Sequence, residues 1–452
     1  MPPTRMTPAG RRVHIVLVPG FAGFDALGQL EYYADVTRAF HDWRQRHRRH
    51  RSAALHYFDN FPTTAVGTRA ERLQRYLAKR VARGEFQERD RIALVGHSTG
   101  GLDIRCLLDH LARAPRRLTR VDGARRADLG IGGAQLLDFI DRVVFLSVPH
   151  RGTNIADWVA GYRIGSHLLI QQLRAAVAAA DLPAMRLVQD WATAGAAWLA
   201  GTDVLLAVQD ALREADADVE DLGPGGVAGA QEAAAALALW LRHMATDFAV
   251  IDDLAVQPPS GRPASPAQVG EAEREREQTA WATGGIEIRS YATLARPPIR
   301  TPSGEVGPWD PLKPWTYSRC APEAPDDALY YACYCACAGG PFTLPHAASS
   351  ARFRYLRPAH RERLASWGVG DRLHPWENDG IVNTASMVWP GAGDTFLVPA
   401  DHMDIVGHYR RVAAAAPSRR TFHTYNLLAS KSGFSDETFR DVWEDVFGFC
   451  CG

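Results

Sequence analysis

The sequence predicts an α/β protein, a mostly parallel, doubly wound sheet carrying a large helical insertion, and three observations predict it. Short apolar runs such as Ile92 to Val95 read as buried strands and recur with helical patterns between them, and strands that alternate with helices assemble as a parallel sheet. After one of these strands, Gly96-His97-Ser98-Thr99-Gly100 turns the chain straight into a helical pattern from Gly101 onward. From about 154 to 282 the chain becomes Ala- and Leu-rich with helical spacing, and strand signals then resume. That order favours an insertion over a separate helical domain. The expected divisions are core over 11–153, helical cap over 154–282 and core again over 283–450.

A serine between two glycines, after a buried strand and before a helix, is the pattern of a nucleophile elbow. The tight turn forces its central residue into a sparsely populated backbone conformation, and Gly96 and Gly100 let strand and helix approach closely enough to permit it. Ser98 is therefore expected to be pushed out at the carboxyl ends of the strands, where open parallel sheets bind their ligands.

The remaining elements follow in order. Val13 to Phe21 is a second buried strand running into a Gly-containing loop. Phe21 in that loop, and Thr99 after the elbow serine, are the expected backbone N–H donors of an oxyanion hole. Ala53 to Phe58 reads as a third strand, and Leu73, Tyr76, Leu77 and Val81 give helical spacing over 69–82. The basic, Gly-rich stretch over 113–136 reads as a surface excursion, and 142–153 as the next strand with its exit loop. Within the cap, the prolines and the Glu/Arg run of 257–279 read as a flexible or exposed connector. Ile286 to Leu294 alternates and restores the sheet. The Pro-, Gly- and Cys-rich stretch 297–345 has no assignable pattern. Asn378-Asp379-Gly380 is a tight turn, Thr395 to Pro399 the last core strand, and 436–447 a closing amphipathic helix.

A serine hydroxyl is a weak nucleophile, so it needs a base within hydrogen-bond reach and an acid that fixes the tautomer of that base. With an elbow of this kind the chain order is serine, then Asp or Glu, then His. Asp379 and His402 are the late pair best placed beside core strands. Glu377, Asp371 and Asp394 remain alternatives for the acid, and His374 and His408 for the base.

Composition excludes some classes. With 51 Lys and Arg against 51 Asp and Glu, nothing global attracts nucleic acid. The local run Arg44-Gln-Arg-His-Arg-Arg-His-Arg51 reads first as the solvated end of a helix, and second as a polyanion or membrane-surface contact. Met1 to Arg12 has no apolar signal core and no apolar run is long enough to span a membrane. A cytoplasmic location is therefore expected, with secretion left open if a leader has been removed. Seven cysteines leave at least one thiol unpaired within the monomer. Cys106 is expected in the core. Cys333, Cys335 and Cys337 alternate, which places them on one face if the segment is a strand. With Cys320 they could form a zinc set, but the spacing is not the paired C-x-x-C kind, and packed thiols or local disulfides are the preferred reading.

Val18-Pro-Gly-Phe21, Gly96-His-Ser-Thr-Gly-Gly101, Leu146-Ser-Val-Pro-His-Arg-Gly-Thr153, Asn378-Asp-Gly-Ile-Val382 and Asp401-His-Met-Asp404 together resemble bacterial triacylglycerol lipases and esterases of the α/β-hydrolase fold. The resemblance covers 13–157 and 286–412 and not the cap. It implies hydrolysis of carboxylic esters, triacylglycerols among them, through an acyl-Ser98 intermediate, with the cap as a lid suited to acyl chains. The partner so implied is an ester or lipid substrate, at an interface for a lipid; the oligomeric state is left open. A polyester depolymerase and a lipid acyltransferase use the same triad and are the alternatives. A binding protein that merely keeps the fold is the non-catalytic one. Asp404 matches one calcium ligand of the Gram-negative lipases, but no Asp lies near position 357 and His408 stands where a Gln is expected, so no cofactor is predicted.

Overall fold

The computed structural model describes residues 12–21, 26–27, 30–87, 89–113, 136–161, 249–256, 264–296, 298–300, 306–308, 321–322, 328–338, 353–370, 373–410 and 426–452. Its centre is a six-stranded sheet. In chain order the strands are β1 (Val13–Val18), β2 (Ala54–Tyr57), β3 (Arg91–His97), β4 (Ile140–Leu146), β5 (Glu287–Leu294) and β6 (Thr395–Pro399). They lie side by side as β6-β5-β4-β3-β1-β2, and every pair is parallel. The helices are α1 (Val36–Arg46), α2 (Val66–Ala82), α3 (Thr99–Arg113), α4 (Asn154–Gly161), α5 (Ala249–Leu254), α6 (Glu271–Thr283), α7 (Ala328–Ala338), α8 (Pro358–Ser366) and α9 (Asp436–Cys451).

Because successive side chains of a strand point to opposite faces, a sheet covered on both sides needs apolar residues at every position. β1 shows this: Ile15 and Leu17 pack with α1 and α9, through Phe40, Trp43, Trp443 and Phe447. Val16 and Val18 pack on the other face with α2 and α3, through Leu73, Leu77, Leu102 and Leu108. This is the α/β-hydrolase arrangement, with the β3-to-α3 turn near the middle of the sheet. Among the described residues no helix is long and apolar enough to cross a membrane.

Three expectations are corrected. The cysteine-rich segment is a helix, α7, and not a strand. Among its described side chains, Tyr330, Tyr334 and Cys337, spaced four and three apart, are the fully buried ones, and that 3.6-residue period governs packing where the two-residue alternation of cysteines does not. Cys333 and Cys337 are free thiols; the side chain of Cys335, and Cys320 altogether, lie outside the described residues. The stretch read as an exposed connector instead ends in α6, which is fastened to the core. Trp281 is buried against the α3 side of the sheet, and Glu277 accepts two hydrogen bonds from the fully buried Arg105 of α3, at 2.7 and 3.1 Å. The Glu/Arg run is thus solvated on one face, where Glu275 and Arg276 are exposed, and ion-paired elsewhere, Glu277 to Arg105 and Glu271 to Arg151. Cys106, expected in the core, is only half-buried.

Of the helical cap, 162–248 lies outside the described residues, as does most of the excursion 113–136. The described ends of the cap, α4, α5 and α6, are helical. The unassigned stretch 297–345 contributes α7 and a small antiparallel sheet of Pro298–Arg300, Val306–Pro308 and Ala321–Pro322.

Candidate active site

The elbow forms as the residues dictate. Ser98 adopts a φ of 53°, a left-handed conformation that costs a non-glycine residue about 1–3 kcal/mol and persists only where surroundings enforce it. Here its N–H donates to the Leu146 carbonyl of β4 at 2.9 Å and its carbonyl accepts from Gly101 at 3.0 Å. A Cβ on Gly96 would sit 2.7 Å from Gly101 Cα, and one on Gly100 would meet the Val18 carbonyl oxygen. A side chain at Gly96 drives β3 and α3 apart, and one at Gly100 drives α3 from the end of β1. Gly20, before Phe21, is equally constrained, since its added Cβ would lie 2.6 Å from Ser98 Cβ. The β1 exit turn therefore rests directly on the serine. Ser98, at the carboxyl end of β3, is 5% exposed.

Asp379 and His402 are brought together. The turn at 378–380 places Gly380 at φ 96°, and Asp379 Oδ1 accepts from the backbone N–H groups of Ile381 and Val382 at 3.0 and 2.8 Å. Its Oδ2 accepts from Thr293 Oγ1 at 2.6 Å and His402 Nδ1 at 2.7 Å. Ser147 in turn donates to Thr293 at 2.7 Å. Both oxygens of the buried Asp379 carboxyl are thus occupied by hydrogen-bond partners, and its Oδ2 faces the Nδ1 of His402. The backbone N–H of His402 also donates to the Asp379 carbonyl at 3.1 Å, so main chain and side chain fix the same pair. Asp401 closes the loop by accepting from the N–H groups of Met403 and Asp404 at 2.9 and 3.0 Å.

Of the rival groups, Glu377, His374 and His408 are engaged elsewhere. Glu377 accepts from Arg296 and from the His374 backbone N–H, at 2.9 and 3.0 Å, and burial still pushes its carboxyl above the usual range. Asp394 is exposed, and Asp371 lies outside the described residues. His374 stacks on Trp376 with ring centroids 4.4 Å apart, and His408 contacts the Tyr32 carbonyl at 3.1 Å. Asp404, the residue matching a calcium ligand, accepts from the Asp401 N–H at 2.8 Å and from Ser432 Oγ at 2.7 Å. Burial and the neighbouring Asp401 hold its carboxyl well above the ordinary carboxylate range. Those contacts make it a fastening of the His402 loop, and among the described residues no group of three or more His, Cys, Asp or Glu could hold a metal ion.

Sequence reasoning missed a buried cation beside the elbow. Arg69 of α2 is fully buried with Asp103 of α3. Its Nε lies 3.0 Å from both Asp103 oxygens, Nη1 donates to the Phe61 carbonyl at 2.6 Å, and Nη2 donates to the carbonyls of Pro19 and Gly20 at 2.9 and 3.1 Å. Nη2 also reaches Thr99 Oγ1 at 3.3 Å. The guanidinium thus ties the turn before Phe21 to the residue after Ser98. Burial pushes Asp103 up to about 6 although Arg69 and Asn60 pull it down. The available signal was an arginine on the face that Val66, Ala70, Leu73 and Leu77 bury. Truncating one partner of such a pair leaves a buried charge uncompensated and typically costs about 3–5 kcal/mol. Arg69→Met is accordingly expected to lower the thermal midpoint strongly, and Arg69→Met with Asp103→Leu to recover part of it. Equal midpoints for Arg69→Met and the parent in differential scanning calorimetry would refute the clamp.

No protein-family model matches the chain, and no curated protein matches it. Solved structures do. The chain is similar to lipase 1 of Pelosinus fermentans, at 17% identity over 96% of this chain and 98% of that one, with a TM-score of 0.40. It is similar to the lipase of Staphylococcus hyicus, at 13% identity over 98% and 96%, with a TM-score of 0.39. The mature lipase of Bacillus licheniformis is similar at 13% identity over 90% of each chain, with a TM-score of 0.35. At these values the likenesses carry no argument about chemistry, which rests on the side chains themselves.

Proposed function

We propose that the protein is a serine carboxylic-ester hydrolase of the lipase and esterase kind. The observation that carries the reading is the strained Ser98 elbow, at φ 53°, on the same sheet edge as a buried His402–Asp379 pair held at 2.7 Å. In this reading Ser98 Oγ attacks the ester carbonyl while His402 Nε2 takes its proton. The Phe21 and Thr99 N–H groups receive the negative charge on the carbonyl oxygen. His402 then returns the proton to the departing alcohol, leaving acyl-Ser98, and water repeats the sequence to release the acid and free serine. Asp379 holds the base in the tautomer with Nδ1 protonated and steadies the imidazolium that forms.

The reading is tested with p-nitrophenyl esters from acetate to palmitate, an emulsified triglyceride and a polyester film, each with the purified full chain. Hydrolysis that rises with acyl length and on the emulsion is the expected result, and it makes the triacylglycerol class the substrate. Turnover confined to short esters or film moves the substrate to small esters or polyesters, and ester products formed when an alcohol competes with water identify an acyltransferase. Folded protein that turns over none of them sinks the reading.

A further inference from the structure

Two polar side chains beside Ser98 have no part in the reaction just described. Tyr32 is 4% exposed and His97 0%. Tyr32 Oη accepts from the Gly20 N–H at 2.9 Å and lies 2.7 Å from His97 Nδ1, and His97 Nε2 lies 2.9 Å from the His402 carbonyl oxygen.

The donors in this chain can be assigned by elimination. A carbonyl only accepts, so His97 Nε2 must carry a proton. The ring is fully buried and next to His402, with centroids 4.7 Å apart; desolvation and that neighbour hold it neutral, well below the ordinary imidazole range. A neutral ring protonated at Nε2 has a bare Nδ1, so the Tyr32 hydroxyl donates to it. The Gly20 amide, which only donates, fills a lone pair of the same oxygen. Every joint then has one direction.

We propose that Tyr32 and His97 are positioning residues whose one-way hydrogen-bond chain, from the Gly20 N–H through Tyr32 and His97 to the His402 carbonyl, sets the oxyanion turn at Phe21 relative to the base. Its significance for turnover rests on the ester-hydrolase reading; the linkage itself does not. The chain joins three exit loops from separate strands: Gly20 follows β1, His97 ends β3, and His402 follows β6, which lies three strands from β3 in the sheet. Nothing in the sheet hydrogen bonding fixes the first loop against the last, and catalysis needs donors and base held to about 0.5 Å. The segment carrying Tyr32 also packs on the His402 loop. His408 Nε2 contacts the Tyr32 carbonyl at 3.1 Å, and a Cβ on Gly407 would collide with the Ala34 carbonyl. Both ring nitrogens of His97 are occupied, Nδ1 by Tyr32 and Nε2 by the His402 carbonyl.

Tyr32→Phe deletes one hydroxyl and keeps the ring, and His97→Asn keeps an acceptor toward Tyr32 while losing the reach to His402. With p-nitrophenyl butyrate, each is expected to lower kcat about 10- to 100-fold with KM within about twofold, because transition-state geometry and not substrate affinity is disturbed. The double variant should lose no more than the worse single one, since both cut the same chain. Losses that multiply, or a Tyr32→Phe rate within twofold of the parent, overturn the proposal. Hydrogen–deuterium exchange supplies a readout independent of activity. In Tyr32→Phe, peptides spanning Gly20 and His402 should both exchange faster while the α2 peptide does not change. Acceleration at Gly20 alone overturns the linkage. A parent that hydrolyses no ester yet shows coupled exchange refutes the hydrolase reading and leaves the linkage standing.

Discussion

Ser98→Ala is expected to remove about 10⁶ of turnover, the scale on which loss of a triad nucleophile reduces kcat, while the protein keeps its fold. The argument is local. Alanine tolerates a φ of 53° no worse than serine, and the backbone contacts of the turn, from the Ser98 N–H to Leu146 and from Gly101 to the Ser98 carbonyl, do not involve the hydroxyl. Only the nucleophile is lost. The check is the p-nitrophenyl ester rate beside circular dichroism and the thermal midpoint. A variant with unchanged spectra and a rate within tenfold of the parent would assign the chemistry to another residue. A fluorophosphonate should label the parent and not the variant, which separates loss of the nucleophile from loss of folding.

Asp379→Asn is expected to cost about 10⁴ in kcat with little change in KM. Asparagine can still accept from Ile381 and Val382 through its carbonyl oxygen, so the turn is preserved. Its NH₂ then occupies the place of Oδ2, which meets two donors in the parent, Thr293 Oγ1 and His402 Nδ1. The conflict is relieved by turning the imidazole into the tautomer protonated at Nε2, and that nitrogen can no longer take a proton from Ser98. Full activity in Asp379→Asn would make the acid assignment wrong and bring Glu377 forward, although Glu377 is committed to Arg296 at 2.9 Å. Asp379→Glu is a useful companion, since an extra methylene keeps the charge and disturbs only the position.

The elements that matter for the proposed chemistry differ in how local their causes are. β3, the elbow and α3 are contiguous, and strand, tight turn and helix are each specified by residues within a few positions of one another. The tight turn at 378–380 and the final strand β6 were legible for the same reason, and with them the acid and base candidates. Helix α7 was not, because an apolar run of tyrosine, alanine and cysteine satisfies a strand pattern as readily as a helical one. Its helical period shows only in which residues, Tyr330, Tyr334 and Cys337, are fully buried. The charge run of α6 was likewise read as solvated because its partners, Arg105 and Arg151, are over 100 positions away in the chain.

The sequence alone therefore determined the sheet, the position of the elbow turn at Ser98 and a short set of candidate partners. Only the tertiary structure showed that Asp379, and neither Glu377 nor Asp394, faces the Nδ1 of His402, while Asp371 lies outside the described residues. It alone revealed the buried Arg69–Asp103 clamp and the chain from Gly20 through Tyr32 and His97 to His402. The physical reason is the same in each case. Backbone propensity and apolar periodicity act over a turn or a strand, whereas a buried polar group is defined by the partner that satisfies it, and here the partners lie on other elements, 23 residues away for Asp379 and His402, 34 for Arg69 and Asp103, and 305 for His97 and His402.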